Sequence, residues 1–133
     1  MRILALIAIL SLSTFNLSGC KGTEAPVATE ISREEYVRTA PGSSLVLDVR
    51  TPEEYAAGHV KNAFNIPHDR LAERMSEIQK FATAPVVVYC KSGRRAAIAT
   101  ELLARSGFTN LRHLTGDMDG WIAAGYPVTK DGP

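Results

Sequence analysis

The most restrictive segment of this chain is Val86-Val87-Val88-Tyr89-Cys90, followed at once by Lys91-Ser92-Gly93-Arg94-Arg95. The apolar, β-branched run is continuous and too short for a helix, so it predicts a buried strand. Arg94 to Ser106 then reads as a helix closed by Gly107. The same alternation runs along the rest of the chain. A short strand is predicted around residues 27–31. Ser32-Arg33-Glu34-Glu35 reads as a capping box opening a helix that Pro41-Gly42 ends. Leu45 to Val49 is a second buried strand. Thr51-Pro52-Glu53-Glu54 is another capping box, with proline at the first helical position and Gly58 as the stop. Ala63 to Ile66 reads as a short strand, and Leu71, Met75, Ile78 and Phe81 give Arg70 to Phe81 helical spacing. Asn110 to Leu114 is a further strand, and Asp117 to Ala124 a last helix. Strands alternating with helices imply a parallel α/β architecture.

The loop after the Val86–Cys90 strand carries the chemistry. Ligands of open α/β sheets gather beyond the carboxyl ends of the strands. A thiol there faces the positive end of a helix dipole and several unpaired backbone N–H groups. Gly93 permits the turn that curls those groups into an anion-binding nest. Lys91, Arg94 and Arg95 add cationic side chains nearby. Each effect favours thiolate over thiol, so Cys90 is expected to be a nucleophile with a lowered pKa, more than a small core residue.

The N-terminus reads as a separate, removable piece. Arg2 begins a short positive region, Ile3 to Leu12 is apolar apart from Ser11, and small residues Ser18 and Gly19 lead to Cys20. This is the order of a secretory signal peptide, shorter than the ~20 residues of a spanning helix. Leu17-Ser18-Gly19-Cys20 resembles the bacterial lipobox. The resemblance implies a signal peptide over 1–19, lipidation of Cys20 and a tether over 20–29, leaving a domain over 30–130. It places the protein in the bacterial cell envelope as a periplasm-facing lipoprotein. Lysine directly after Cys20 resembles lipoproteins sorted to the outer membrane of a two-membrane organism. Removing residues 1–19 takes away Arg2 and no acid, so the net charge falls from +1 to 0. A neutral domain without a basic run gives no reason to expect nucleic acid. Membrane attachment would come from the lipid. With Cys20 lipidated, Cys90 has no internal disulfide partner.

Taken in order, the residues resemble the rhodanese family. Cys90-x-x-Gly93-x-Arg95 matches its active-site loop. Leu47-Asp48-Val49-Arg50, Glu54-Tyr55, Gly58-His59-Val60, Ala63 and Asn65-Ile66-Pro67 match its upstream block. Leu114-x-Gly116, Trp121, Gly125 and Pro127-Val128 match its C-terminal block. The resemblance covers about residues 30–129. It implies the single-domain, three-layer form of the fold, with a small central parallel sheet flanked by helices. Two positions depart from the family: Asp117 follows Gly116 where a second glycine is usual, and Ala96 replaces a frequent serine. Aspartate tolerates unusual backbone and can cap a helix. Ala96 bears on substrate orientation or on capping.

The resemblance also implies a function. Cys90 would take the outer sulfur of thiosulfate or a related anionic donor, hold it as a persulfide and pass it to a thiol or cyanide. The loop of Lys91, Ser92, Gly93, Arg94 and Arg95 would bind substrate, with Asp48 and Arg50 supporting the site. No metal and no cofactor are expected beyond the covalent persulfide. His68 and His113 lack metal-ligand spacing, His59 reads as structural and Trp121 as core. A low-turnover persulfide carrier or sensing module for a partner protein needs the same cysteine. Cys-dependent phosphatases and arsenate reductases use the same nest but place arginine six positions after the cysteine, where this chain has Ala96. The shorter loop suits a sulfur atom on Cys90 better than a phosphate. Thiol–disulfide exchange would need an external thiol, since no Cys-x-x-Cys is present.

Overall fold

A computed structural model describes residues 27–39, 42 and 44–130. The expected signal peptide, Cys20 and most of the tether lie outside the described residues. Five strands, β1 (Thr29–Ile31), β2 (Leu45–Asp48), β3 (Phe64–Asn65), β4 (Val86–Tyr89) and β5 (Leu111–Leu114), form one sheet in the order β1-β5-β4-β2-β3. Every strand pairing within this sheet is parallel. Among the described residues there are four α-helices: α1 (Arg33–Thr39), α2 (Pro52–Ala57), α3 (Arg94–Arg105) and α4 (Asp117–Ala123). The α/β three-layer architecture is the one the sequence implies.

Alternation along the strands builds the two faces. Leu45, Leu47, Val86 and Val88 point to one side, where Ala96, Ala99 and Leu103 of α3 cover them together with Leu71 and Ile78. Val46, Val87 and Tyr89 point to the other, against Tyr36 of α1, Tyr55 of α2, and Met118 and Trp121 of α4. A strand covered on both faces must be apolar on both, which is why β4 reads as an unbroken run.

Two expectations are corrected. Residues 70–81 do not form an α-helix. They form a string of turns with 3-10 segments at Met75–Glu77 and Gln79–Phe81, closed by i to i+3 bonds such as Ile78 N–H to the Met75 carbonyl. Apolar residues at 75, 78 and 81 recur every third position, so they face the core as well at three residues per turn as at 3.6. The capping box before α1 is half made. Ser32 Oγ accepts the Glu35 N–H at 3.0 Å, but the Glu35 carboxylate turns to Arg112 on β5. The box at α2 is complete: Thr51 and Glu54 bond each other's backbone N–H.

Parallel pairing brings the carboxyl ends of the strands level. Asp48 on β2 lies beside Tyr89 on β4, and Val88 beside His113 on β5. The loops following these strands therefore gather at one edge of the sheet, around Cys90.

Candidate active site

Cys90 follows β4 directly and is a free, buried cysteine. Gly93 adopts φ 113°, a left-handed conformation that favours glycine, and turns its N–H onto Cys90 Sγ at 3.0 Å. Gly93 is also the N-cap of α3 and offers no side chain, so no side-chain bond satisfies the first amides of that helix. The loop thus sets one backbone donor and the positive end of a twelve-residue helix against the sulfur atom.

A cavity of about 360 Å³ opens over the sulfur, lined by His68, Cys90, Ser92, Arg94, Arg95 and Ile98. That is at the small end of ligand sites, matched to a small anion. The three loop cations differ in their freedom. Lys91 Nζ is ion-paired with Asp119 at 2.9 Å, where both side chains are exposed. Arg95 forks onto Glu54 at 2.6 and 2.9 Å, so the capping-box glutamate of α2 also aims the arginine. The Arg95 hydrogen bond, first of its causes, holds the Glu54 carboxyl down to about 2. The Arg94 side chain makes no hydrogen bond or ion pair among the described residues and reaches solvent. Ala96, in the first turn of α3, is fully buried in the core and does not line the cavity.

Asp48 and Arg50 do not line the cavity either. Arg50 Nη2 lies 2.6 Å from Asp48 Oδ2 and 2.8 Å from the Gly58 carbonyl, both side chains being almost wholly buried. The Tyr89 hydroxyl donates to Asp48 Oδ2 at 2.7 Å and accepts the Val60 N–H. Burial, then the neighbouring Asp48 charge, push the Tyr89 pKa upward, so it stays a neutral donor. Asn65 Nδ2 ties the Asp48 and Arg50 carbonyls together. This buried network holds the segment from β2 through α2 against the end of β4. His59 lies under the same segment, stacked on Tyr55 with ring centroids 3.7 Å apart and bonded through Nδ1 to the Tyr55 carbonyl. Trp121 is core, its Nε1 donating to the Pro127 carbonyl.

The structure also brings to the site two residues that the sequence reading did not assign to it. His68 reaches the cavity because it follows the carboxyl end of β3, a position where parallel sheets collect site residues. Asp117 does not cap its own helix. With φ 52° it points back across the loop, and Oδ1 accepts the Cys90 N–H at 2.8 Å. The next two amides follow it: Met118 N–H bonds the Cys90 carbonyl and Asp119 N–H the Lys91 carbonyl.

Residues 32–124 match the Rhodanese-like domain. The chain belongs to the rhodanese-like family. A protein named sulfurtransferase from Allochromatium vinosum is 37% identical over 84 residues, 63% of this chain and 77% of that protein. Thiosulfate sulfurtransferase PspE of Escherichia coli is 37% identical over 73 residues, 55% of this chain and 70% of its own length. Among solved structures, a rhodanese-related protein from Thermoplasma volcanium superposes with a TM-score of 0.69 at 31% identity, covering 77% of this chain and 99% of that one. A human single-domain sulfurtransferase gives a TM-score of 0.64 at 28% identity over 72% of this chain and 96% of its own. The rhodanese-like fold thus extends over nearly all the described residues.

Proposed function

We propose that this rhodanese-like domain is a sulfurtransferase that carries sulfane sulfur on Cys90. The observation that supports it most is the Gly93 N–H directed at Cys90 Sγ beneath a small cavity lined by Arg94 and Arg95. The Cys90 thiolate attacks the outer sulfur of thiosulfate. A new S–S bond forms at Sγ, the S–S bond of thiosulfate breaks, and sulfite leaves with its electron pair. Cyanide or a thiolate then takes the outer sulfur and returns Cys90 as thiolate. Backbone N–H groups of the loop stabilise the anionic sulfur in both steps. Formation of thiocyanate by the full chain from thiosulfate and cyanide tests the reading; no turnover above the uncatalysed rate with either cyanide or thiol acceptors would contradict it.

Arg94 is the cation free to meet the donor, while Lys91 and Arg95 are held by Asp119 and Glu54. Arg94→Ala is therefore expected to raise the thiosulfate KM roughly fivefold, about the 1 kcal/mol a solvated charge pair supplies, with kcat little changed. Lys91→Ala is expected to do less. Steady-state kinetics of both variants check the order, and a larger KM effect at Lys91 would contradict it.

The N-terminal sequence supports a place for this chemistry. We propose that Cys20 carries lipid and tethers the domain to a bacterial membrane, because Leu17-Ser18-Gly19-Cys20 ends an apolar run of signal-peptide length. In a bacterial host the full chain is expected in the membrane fraction with a lipid mass on Cys20. A soluble, unlipidated wild-type protein would refute it.

A further inference from the structure

Behind the Cys90 loop, charged side chains from three elements stand in a row. His113 of β5 places Nδ1 3.0 Å from Glu30 Oε1 of β1 and Nε2 2.9 Å from Asp117 Oδ2 at the head of α4. The second Glu30 oxygen accepts the Thr115 hydroxyl, and the second Asp117 oxygen accepts the Cys90 N–H. A neutral imidazole has a single N–H. With a carboxylate at each ring nitrogen, a neutral ring turns one lone pair against an anion, so the row is complete only when His113 holds both protons. The Asp117 hydrogen bond, aided by Glu30 and opposed by partial burial, pushes the His113 pKa up to about 9.

The row bears on the sulfur through two contacts. Asp117 Oδ1 anchors the Cys90 backbone. Asp117 Oδ2 lies 3.2 Å from where a Cβ on Gly93 would sit, with the His113 ring close behind, so Asp117 and His113 support the residue whose N–H meets Sγ. The other charged groups near His113 are already engaged or distant from its nitrogens. Glu101 of α3 lines, with His113, a second pocket separate from the one over Cys90, and pairs with Arg105; Lys91 of the loop pairs with Asp119. Arg33 of α1 bonds the Thr115 carbonyl, and Arg112, next to His113 on β5, pairs with Glu35.

We propose that Glu30, His113 and Asp117 form a proton-dependent brace that positions the Cys90 loop. With His113 doubly protonated, Asp117 is held against the Cys90 N–H and beneath Gly93. Loss of one His113 proton sets two carboxylates against a ring with one donor, and the brace loosens. Asp117 and His113 are positioning residues that never touch the donor. The effect on turnover rests on the sulfur-transfer reading; the effect on the loop does not.

Two measurements on the full chain carrying Cys20→Ser, with Cys90 as its one thiol, separate these parts. The first follows the Cys90 amide resonance with pH in uniformly 15N-labelled protein. It should show a titration step with a midpoint near 9 that is missing in His113→Gln and Asp117→Gly. The second is the rate of sulfur loading from thiosulfate. Simple thiol chemistry gives a rate that rises or levels with pH, whereas the brace gives a rate that falls about fivefold above pH ~9, the worth of one hydrogen bond. Asp117→Asn supplies the decisive variant. Its amide oxygen accepts the Cys90 N–H while its NH2 donates to a neutral His113, so its loading rate should pass through pH ~9 without falling. Asp117→Gly, whose backbone tolerates φ 52°, should be slower at neutral pH and lack the falling limb. A Cys90 amide that ignores His113 overturns the brace. So does an active enzyme whose rate never falls, or one in which Asp117→Asn keeps the fall. A titrating amide in a protein that loads no sulfur at any pH would retain the brace and reject the sulfurtransferase reading.

Discussion

Cys90→Ser is expected to lower sulfur transfer by about a thousandfold or more while leaving the protein folded. A serine oxygen cannot hold sulfur as a persulfide, so both half-reactions lose their covalent intermediate rather than a fraction of its stabilisation. The fold should tolerate the change. Serine fits the space of Cys90, and the Gly93 N–H that meets Sγ finds an oxygen at the same place. The cost is the hydroxyl proton, buried without a designed acceptor, at about 1–2 kcal/mol. That is small beside the ~5–15 kcal/mol of an ordinary domain. Thermal or urea unfolding of the variant alongside the assay distinguishes lost chemistry from lost structure. Residual turnover near the wild-type rate would put the chemistry at another residue.

Asp48→Ala should have the opposite profile, with a large effect on stability. The carboxylate accepts from Arg50 Nε, Arg50 Nη2, the Arg50 backbone N–H and the Tyr89 hydroxyl, with no exposure to water. Removing it leaves the buried Arg50 guanidinium with the Gly58 carbonyl as its one remaining hydrogen-bond acceptor among the described residues, and the Tyr89 hydroxyl without its acceptor. Breaking one side of a buried pair costs about 3–5 kcal/mol. Asp119→Ala, which removes the partner of Lys91 at an exposed pair, should cost less than about 1 kcal/mol. Urea unfolding of the two variants gives the comparison. Equal losses would mean that the Asp48–Arg50 network does not hold the β2–α2 segment in place.

The central strand and its loop were legible because local and global requirements coincide there. Val86 to Tyr89 is apolar on both faces because both faces are covered, and Gly93 stands where the backbone has φ 113°. The Thr51–Glu54 box was legible for the same reason, since its residues satisfy each other within one turn. What the sequence did not display was any contact made by topology. Glu30, His113 and Asp117 meet because β1 pairs with β5 in a register that sets Glu30 beside His113, 83 residues later. Glu54 is a capping residue by its spacing and an arginine clamp only once α2 packs near α3. Asp117 could be read as a helix-capping residue from its neighbours, whereas its carboxylate serves the loop of another strand. Residues 70–81 show the remaining limit: an apolar spacing of three and four residues does not distinguish an α-helix from a series of 3-10 turns.

The central claim is that Cys90 holds transferable sulfur, and mass spectrometry of the full chain after brief exposure to thiosulfate tests it most directly. The account predicts a gain of one sulfur atom, located on the Cys90 peptide, absent from Cys90→Ser and removed by cyanide. A gain that forms but is discharged only slowly would make the protein a persulfide carrier. No gain on Cys90, with the protein folded and the thiol reduced, would contradict the account.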